Sequence, residues 1–174
     1  MRKLSLASII AIIFSVVGCR EVEVTPVRIL PLYKQLEQFS VMDNLQRDSL
    51  MHAESAEIKL MMEFLGHDSI SDRLIEDWSA SNVVRMFSEP VDSVFPSLES
   101  LGNSLGLLLE NAKSAELDIP DREYVAVVWS SMRSIVVSDS IVMIALNHFL
   151  GADFPGYITS KWPKYMNTTK TPEQ

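Results

Sequence analysis

Residues 124–146, YVAVVWSSMRSIVVSDSIVMIAL, decide the fold. Three short runs of β-branched and aromatic residues stand in it, Tyr124 to Trp129, Ser134 to Val137 and Ile141 to Leu146, and serine-rich breaks separate them. Runs this short, bounded by turn residues, read as strands rather than helices. Val136 to Val142 predicts a hairpin that turns at Ser138-Asp139-Ser140. The runs are almost continuously apolar, so both faces of the strands are covered, with helices on at least one.

Upstream the period is helical. Ile29, Leu32, Tyr33, Leu36 and Phe39 recur at intervals of three and four, which predicts a helix over 30–39 that can reach Leu45. Asp48-Ser49 is read as the cap of a second helix, with Leu50, Ala53, Glu57, Ile58, Met61, Met62 and Leu65 on its stripe and Gly66 at its left-handed end. A third starts at Asp68 to Ser71 and carries Ile70, Leu74, Ile75 and Trp78, and Val83 to Phe87 form a short element stopped by Pro90. The clearest stripe runs from Val91 through Leu101, Leu105 and Leu108 to Ala112 and predicts six helical turns in the core, with methionines as fillers. Gly102 and Gly106, one turn apart, permit close approach of another element, each at about 1 kcal/mol of helix propensity. Helices first and strands last give an α+β domain, a helical first half packed on a small antiparallel sheet in the second half.

The N-terminus supplies an address. Met1-Arg2-Lys3 is basic, Leu4 to Val17 carries no charge, and Val16-Val17-Gly18-Cys19 closes the run with a small residue before the chain's one cysteine. These are the parts of a secretory signal over residues 1–18, in a run shorter than the roughly 20 residues that a membrane span needs. The ending resembles the bacterial lipobox, in which the peptidase cuts before Cys and the thiol carries a diacylglyceryl group. That predicts lipidation of Cys19 with palmitate-type chains and a tether over residues 19–27, ahead of a single domain over 28–174. Without the leader, 13 basic residues face 23 acidic ones, a balance that disfavours nucleic acid and attraction of the body to anionic lipid.

No catalytic set is legible, and nothing calls for a cofactor or a metal. His52, His67 and His148 are far apart in sequence, without the helical spacing of a zinc site, and the glycine-rich phosphate loops and the GxSxG turn are absent. The acidic pairs Glu76-Asp77 and Glu116/Asp118 read as solvated charge. Residues 152–172 combine prolines and aromatics without a clear period, and Trp162, Tyr157 and Tyr165 there would suit a glycan as well as core cover. Thr171-Pro172-Glu173-Gln174 has the form of a helix start, which reads equally as the beginning of a further helix or as a tail.

Residues 139–157, DSIVMIALNHFLGADFPGY, together with Trp162-Pro163-Lys164-Tyr165, resemble the gliding-motility lipoprotein GldB family of Bacteroidetes. Leu146, Leu150, Gly151, Pro155 and Tyr157 match that family's pattern, whereas Ala145 stands where Gly is usual, Asn147 where Asp is usual and Phe149 where Tyr is usual. Asn147, His148, Asp153 and Tyr157 are therefore the candidate functional or turn-capping cluster, and the loss of charge at Asn147 favours the capping role. The resemblance implies an envelope lipoprotein of motility or its associated secretion; with the anchor and the absence of a catalytic set, the reading is a non-catalytic protein held in the membrane by its lipid, the outer membrane before the inner, and working through other envelope proteins. The alternative it leaves open is the N-terminal part of a zinc-peptidase-like enzyme whose metal-binding helix lies beyond residue 174.

Overall fold

A computed structural model describes residues 24–159 apart from residue 68, so the leader, Cys19, Trp162, Tyr165 and the Thr171 helix-start pattern lie outside the described residues. The elements run β1 (Ile29–Leu30), α1 (Leu32–Glu37), a 3-10 turn (Phe39–Val41), α2 (Asn44–Ala53), α3 (Ser55–Phe64), α4 (Asp72–Ser79), α5 (Asn82–Val94) and α6 (Glu99–Ser114). The second half follows as β2 (Glu123–Val127), β3 (Ile135–Val137), β4 (Ile141–Ala145), a 3-10 turn (Leu146–His148) and α7 (Pro155–Thr159). The class is α+β, and the three strands of the second half fall where the apolar runs place them.

The sheet is mixed, in the order β1-β2-β4-β3, where the sequence led us to expect an antiparallel one. The β3–β4 hairpin is antiparallel as expected, with Val136 opposite Met143, and Ser138 turns it by accepting from Ile141 N and donating to Ile141 O through its side chain. Strand β2 pairs with β4 in parallel, Glu123 opposite Ile141 and Val127 opposite Ala145. Burial explains the order. Ile141, Met143, Ile144 and Ala145 of β4 are all buried and take the interior place, whereas β3 buries only Val136 and stays at the edge. Strand β1 was not foreseen. Leu30 precedes Pro31, whose ring disfavours helical backbone at the residue before it, so the chain is extended there and pairs with Tyr124 and Val125.

Prolines and caps also redraw the helices. The second helix begins earlier than Asp48, because Asp43 and Gln46 form a reciprocal capping box, and it breaks at Glu54 into α2 and α3. Gly66, at φ 88°, ends α3 as expected, with His67 N donating to Met62 O and Gly66 N to Glu63 O. Ser71 caps α4 and Ser81 caps α5. Helix α5 continues through Pro90 to Val94, since Val84, Phe87 and Val91 keep one buried face across it and outweigh the hydrogen bond that proline forfeits. The six-turn stripe from Val91 to Ala112 is two helices, parted where Phe95 turns out of helical backbone before Pro96.

Helix α6 is not the core element its stripe predicted. Only Gly102 and Gly106 are buried on it, Leu101 and Leu105 are partly covered, and Leu107 and Leu108 are exposed. The two glycines admit the chain's own entry segment. Val27 N donates to Gly102 O at 3.0 Å, and a Cβ at Gly102 or Gly106 would stand 2.3 Å from Val27 O or 2.4 Å from Thr25 O. The chain is thus held against the body from Val24, ahead of position 28. The core itself gathers Leu32, Tyr33 and Leu36 of α1, Ile58, Met61 and Met62 of α3, Ile75 of α4 and Phe87 of α5 over β2 and β4.

Candidate functional site

The candidate cluster starts where the parallel strands end. Continued two residues past Val127 and Ala145, the register would set Trp129 opposite Asn147, but the chain after Ala145 has already curled into a 3-10 turn. The Asn147 side chain completes the ladder in its place. Its Nδ2 donates to Trp129 O at 2.9 Å, and its Oδ1 accepts from Trp129 N at 3.2 Å. An amide carries both the donor and the acceptor that these two buried main-chain groups need, whereas an ionised carboxylate offers acceptors alone. Asn147 is completely buried, so its chemistry is spent inside the fold.

The neighbouring polar side chains are engaged in the same manner. His148 is fully buried, with Nδ1 3.0 Å from Ser134 Oγ, while Ala145 N donates to Ser134 O and Trp129 Nε1 to Arg133 O. These bonds fasten the loop from β2 to β3 against the end of β4. A Ser–His contact is the start of a nucleophilic set, yet this imidazole lies wholly below the surface, where it orders the start of β3. Tyr157 closes the next loop. Its hydroxyl accepts from Leu150 N at 2.9 Å, its ring sits 5.2 Å edge-on from Phe154 and 6.2 Å from Phe87, and burial pushes its phenol up from the ordinary value. Asp153 is exposed on that loop. The structure therefore sets Asn147, His148 and Tyr157 beneath the surface and Asp153 on it.

The other end of β2 holds a feature that the sequence reading passed over. Glu57, placed on the apolar stripe of its helix, is buried on α3 and forms a carboxyl pair with Glu123, the first residue of β2. Burial, first of all, raises the Glu57 carboxyl above the usual carboxylate range. The hydrogen bond with Glu123 and the charges of Glu123 and Glu54 add to this, and a backbone hydrogen bond opposes it. The pair opens on a cavity of about 400 Å³ lined by Arg28, Glu54, Arg122 and Tyr124. The signal was available in the sequence: an ionisable side chain at a stripe position must find a partner or give up its charge.

The remaining candidates are peripheral. His52 and His67 are exposed, as are Glu116 and Asp118. Glu76 forms an ion pair with Arg47 at 2.6 Å, and Asp77 lies 3.9 Å from Arg73. Tyr157, one of the three aromatics that would suit a glycan, is buried. Among the described residues no group of three or more His, Cys, Asp or Glu side chains is placed to hold a metal ion, and no helix is long and apolar enough to cross a membrane.

A family model described as gliding motility protein GldB matches residues 20–174. The chain belongs to the GldB family. That membership covers the helical half as well as the hairpin, and it makes this a gliding-motility-related protein. The GldB family is labelled a lipoprotein family, which associates it with the cell envelope. Comparison with curated proteins and with solved structures gives no match.

Proposed function

We propose that this GldB-family protein is a non-catalytic lipoprotein of the bacterial envelope, anchored through Cys19 and acting by protein contacts within a motility or secretion assembly. The observation that carries the reading is the family match from residue 20 onward, which begins directly after the Cys at the end of a lipobox-like signal. Two or three fatty chains on one N-terminal cysteine, each contributing about 0.8 kcal/mol per buried methylene, give a stable anchor. The outer membrane is its place before the inner one. The engagement of Asn147, His148 and Tyr157 with the main chain and their immediate neighbours supports a scaffold in preference to an enzyme.

Mass spectrometry of the mature protein tests the anchor. The expected N-terminus is a diacylglyceryl-modified Cys19, and Cys19→Ser should shift the protein from the membrane to the soluble fraction. An unmodified Cys19 in a protein that still fractionates with membranes would overturn the lipoprotein reading. Turnover of peptide or glycan by the purified body, scaling with protein through repeated purification, would overturn the non-catalytic part.

A further inference from the structure

We infer that the exposed face of α6 rests against the bilayer that carries the lipid, so that the body is oriented on the membrane as well as tethered to it. The inference builds on the lipoprotein reading above and adds a second contact to it. Three observations support the orientation.

The first is where the chain enters. Passing from Val27 back to Thr25 the entry segment moves from Gly102 to Gly106, two extended residues covering about 6.6 Å against about 6 Å for four helical ones. It therefore runs toward the C-terminal end of α6, and Val24 lies beside Gly106. Five residues separate the Cys19 and Val24 positions, which limits the distance between them to about 17 Å. With lipid on Cys19, Val24 and the Gly106 end of α6 beside it stay within about 17 Å of the anchored residue.

The second is the distribution of charge around α6. Glu99, Glu110 and Lys113 lie on the arc near the glycines. The opposite arc carries Ser100, Ser104, Leu107, Leu108 and Asn111, all exposed and none charged, in a chain whose formal charge is −8. Leu107 is 45% exposed and Leu108 61%, and Leu117, just past the helix, is 58% exposed. The third is the open trough of about 770 Å³ beside this arc, walled by Val94, Phe95, Leu101, Leu105 and Leu108. Adjacent leucines flanked by small polar side chains, without charge, fit the boundary between headgroups and acyl chains. The acidic body selects a zwitterionic surface over an anionic one.

The test uses the lipidated protein in phosphatidylcholine vesicles doped with nitroxide-labelled lipid. Once Cys19 is modified no other cysteine exists, so Leu108→Cys accepts a single environment-sensitive fluorophore. Asp139→Cys, in the exposed turn between β3 and β4, is the reference site at the opposite edge of the sheet. Quenching at 108 should exceed quenching at 139 several-fold, and adding Leu107→Asp should reduce it toward the reference. Equal quenching at the two sites, with lipidation confirmed by mass, overturns the membrane-facing inference and leaves the anchor standing; a partner protein is then what covers this face. Absence of lipid on Cys19 overturns both. Unfolding midpoints of the labelled variants close to that of the parent show that the fold is kept.

Discussion

Gly102→Ala sets two physical effects of opposite sign against each other. Considered as a helix alone, α6 gains about 1 kcal/mol when an interior glycine becomes alanine. In the folded protein the new methyl would stand 2.3 Å from Val27 O and 3.5 Å from Val27 C, and backbone atoms cannot rotate aside as a side-chain tip can. The entry segment has to lift. Overpacking of this kind costs about 1–3 kcal/mol, and displacing Val27 endangers its 3.0 Å hydrogen bond to Gly102 O, worth about 0.5–1.5 kcal/mol. After the propensity gain, the expected net loss is about 1–3 kcal/mol. Gly106→Ala, whose Cβ would meet Thr25 O at 2.4 Å, should behave alike. Urea unfolding of the mature chain, followed through the buried Trp78 and Trp129, gives the stability, and limited proteolysis reports release of residues 24–27. A Gly102→Ala protein about 1 kcal/mol more stable than its parent would refute the reasoning, since helix propensity would then decide and the close approach would count for nothing.

Asn147→Leu, which leaves Trp129 N and O buried without partners, should lose about 3 kcal/mol in the same urea assay, and Asn147→Asp, which keeps an acceptor for Trp129 N, should fall between it and the parent. Equal stability of the leucine variant and the parent would show that the amide does not complete the ladder. Glu116 ends α6 at φ 58°, with Leu117 N donating to Ala112 O, so Glu116→Gly should stabilise by about 1 kcal/mol; a loss would contradict the strain assigned to that position. The Glu57 carboxyl is raised in the folded state, so the native protein binds that proton more tightly than the unfolded chain does. Its contribution is full below the unfolded carboxyl value and is lost as pH rises through the folded one. Comparing the parent with Glu57→Gln from pH 4.5 upward, the glutamine variant should gain stability relative to the parent as pH rises, and a constant difference would contradict the raised Glu57 carboxyl.

Legibility followed the reach of the forces involved. The strands of residues 123–145 were readable because β-branched runs between serines are a local signal, and so was the Gly66 terminus of α3. Strand pairing is not local. Nothing in the order of the runs states that β4 inserts between β2 and β3, and the parallel pairing follows only from which strand must be buried on both faces. Two misread boundaries carried their own correction in the sequence, since Leu30 before Pro31 and Phe95 before Pro96 are both pushed out of helical backbone. Pro90 could not be read in that way, because there the buried face of α5 overrides the local rule. Asn147 was expected to cap the turn leaving β4, whereas its side chain bonds the main chain of Trp129, 18 positions away, a partner that no local signal names.

The leucines of α6 and the glycines between them make one argument when taken together. A helix whose glycines are filled by its own N-terminal segment has used that face, so its remaining apolar residues are not waiting for the core of this domain. Exposed leucine on a chain of this charge is retained against a cost of about 25 cal/mol for each Å² of apolar surface left in water. The same glycines that leave α6 half exposed therefore hold Val24, Thr25 and Val27 along its other face. The close packing of residues 24–27 and the exposed face of α6 are consequences of one choice at Gly102 and Gly106. If α6 faces the bilayer as proposed, filling either glycine should lower quenching of the label at position 108 along with stability, and unchanged quenching in a destabilised variant that still folds would separate the packing from the membrane contact.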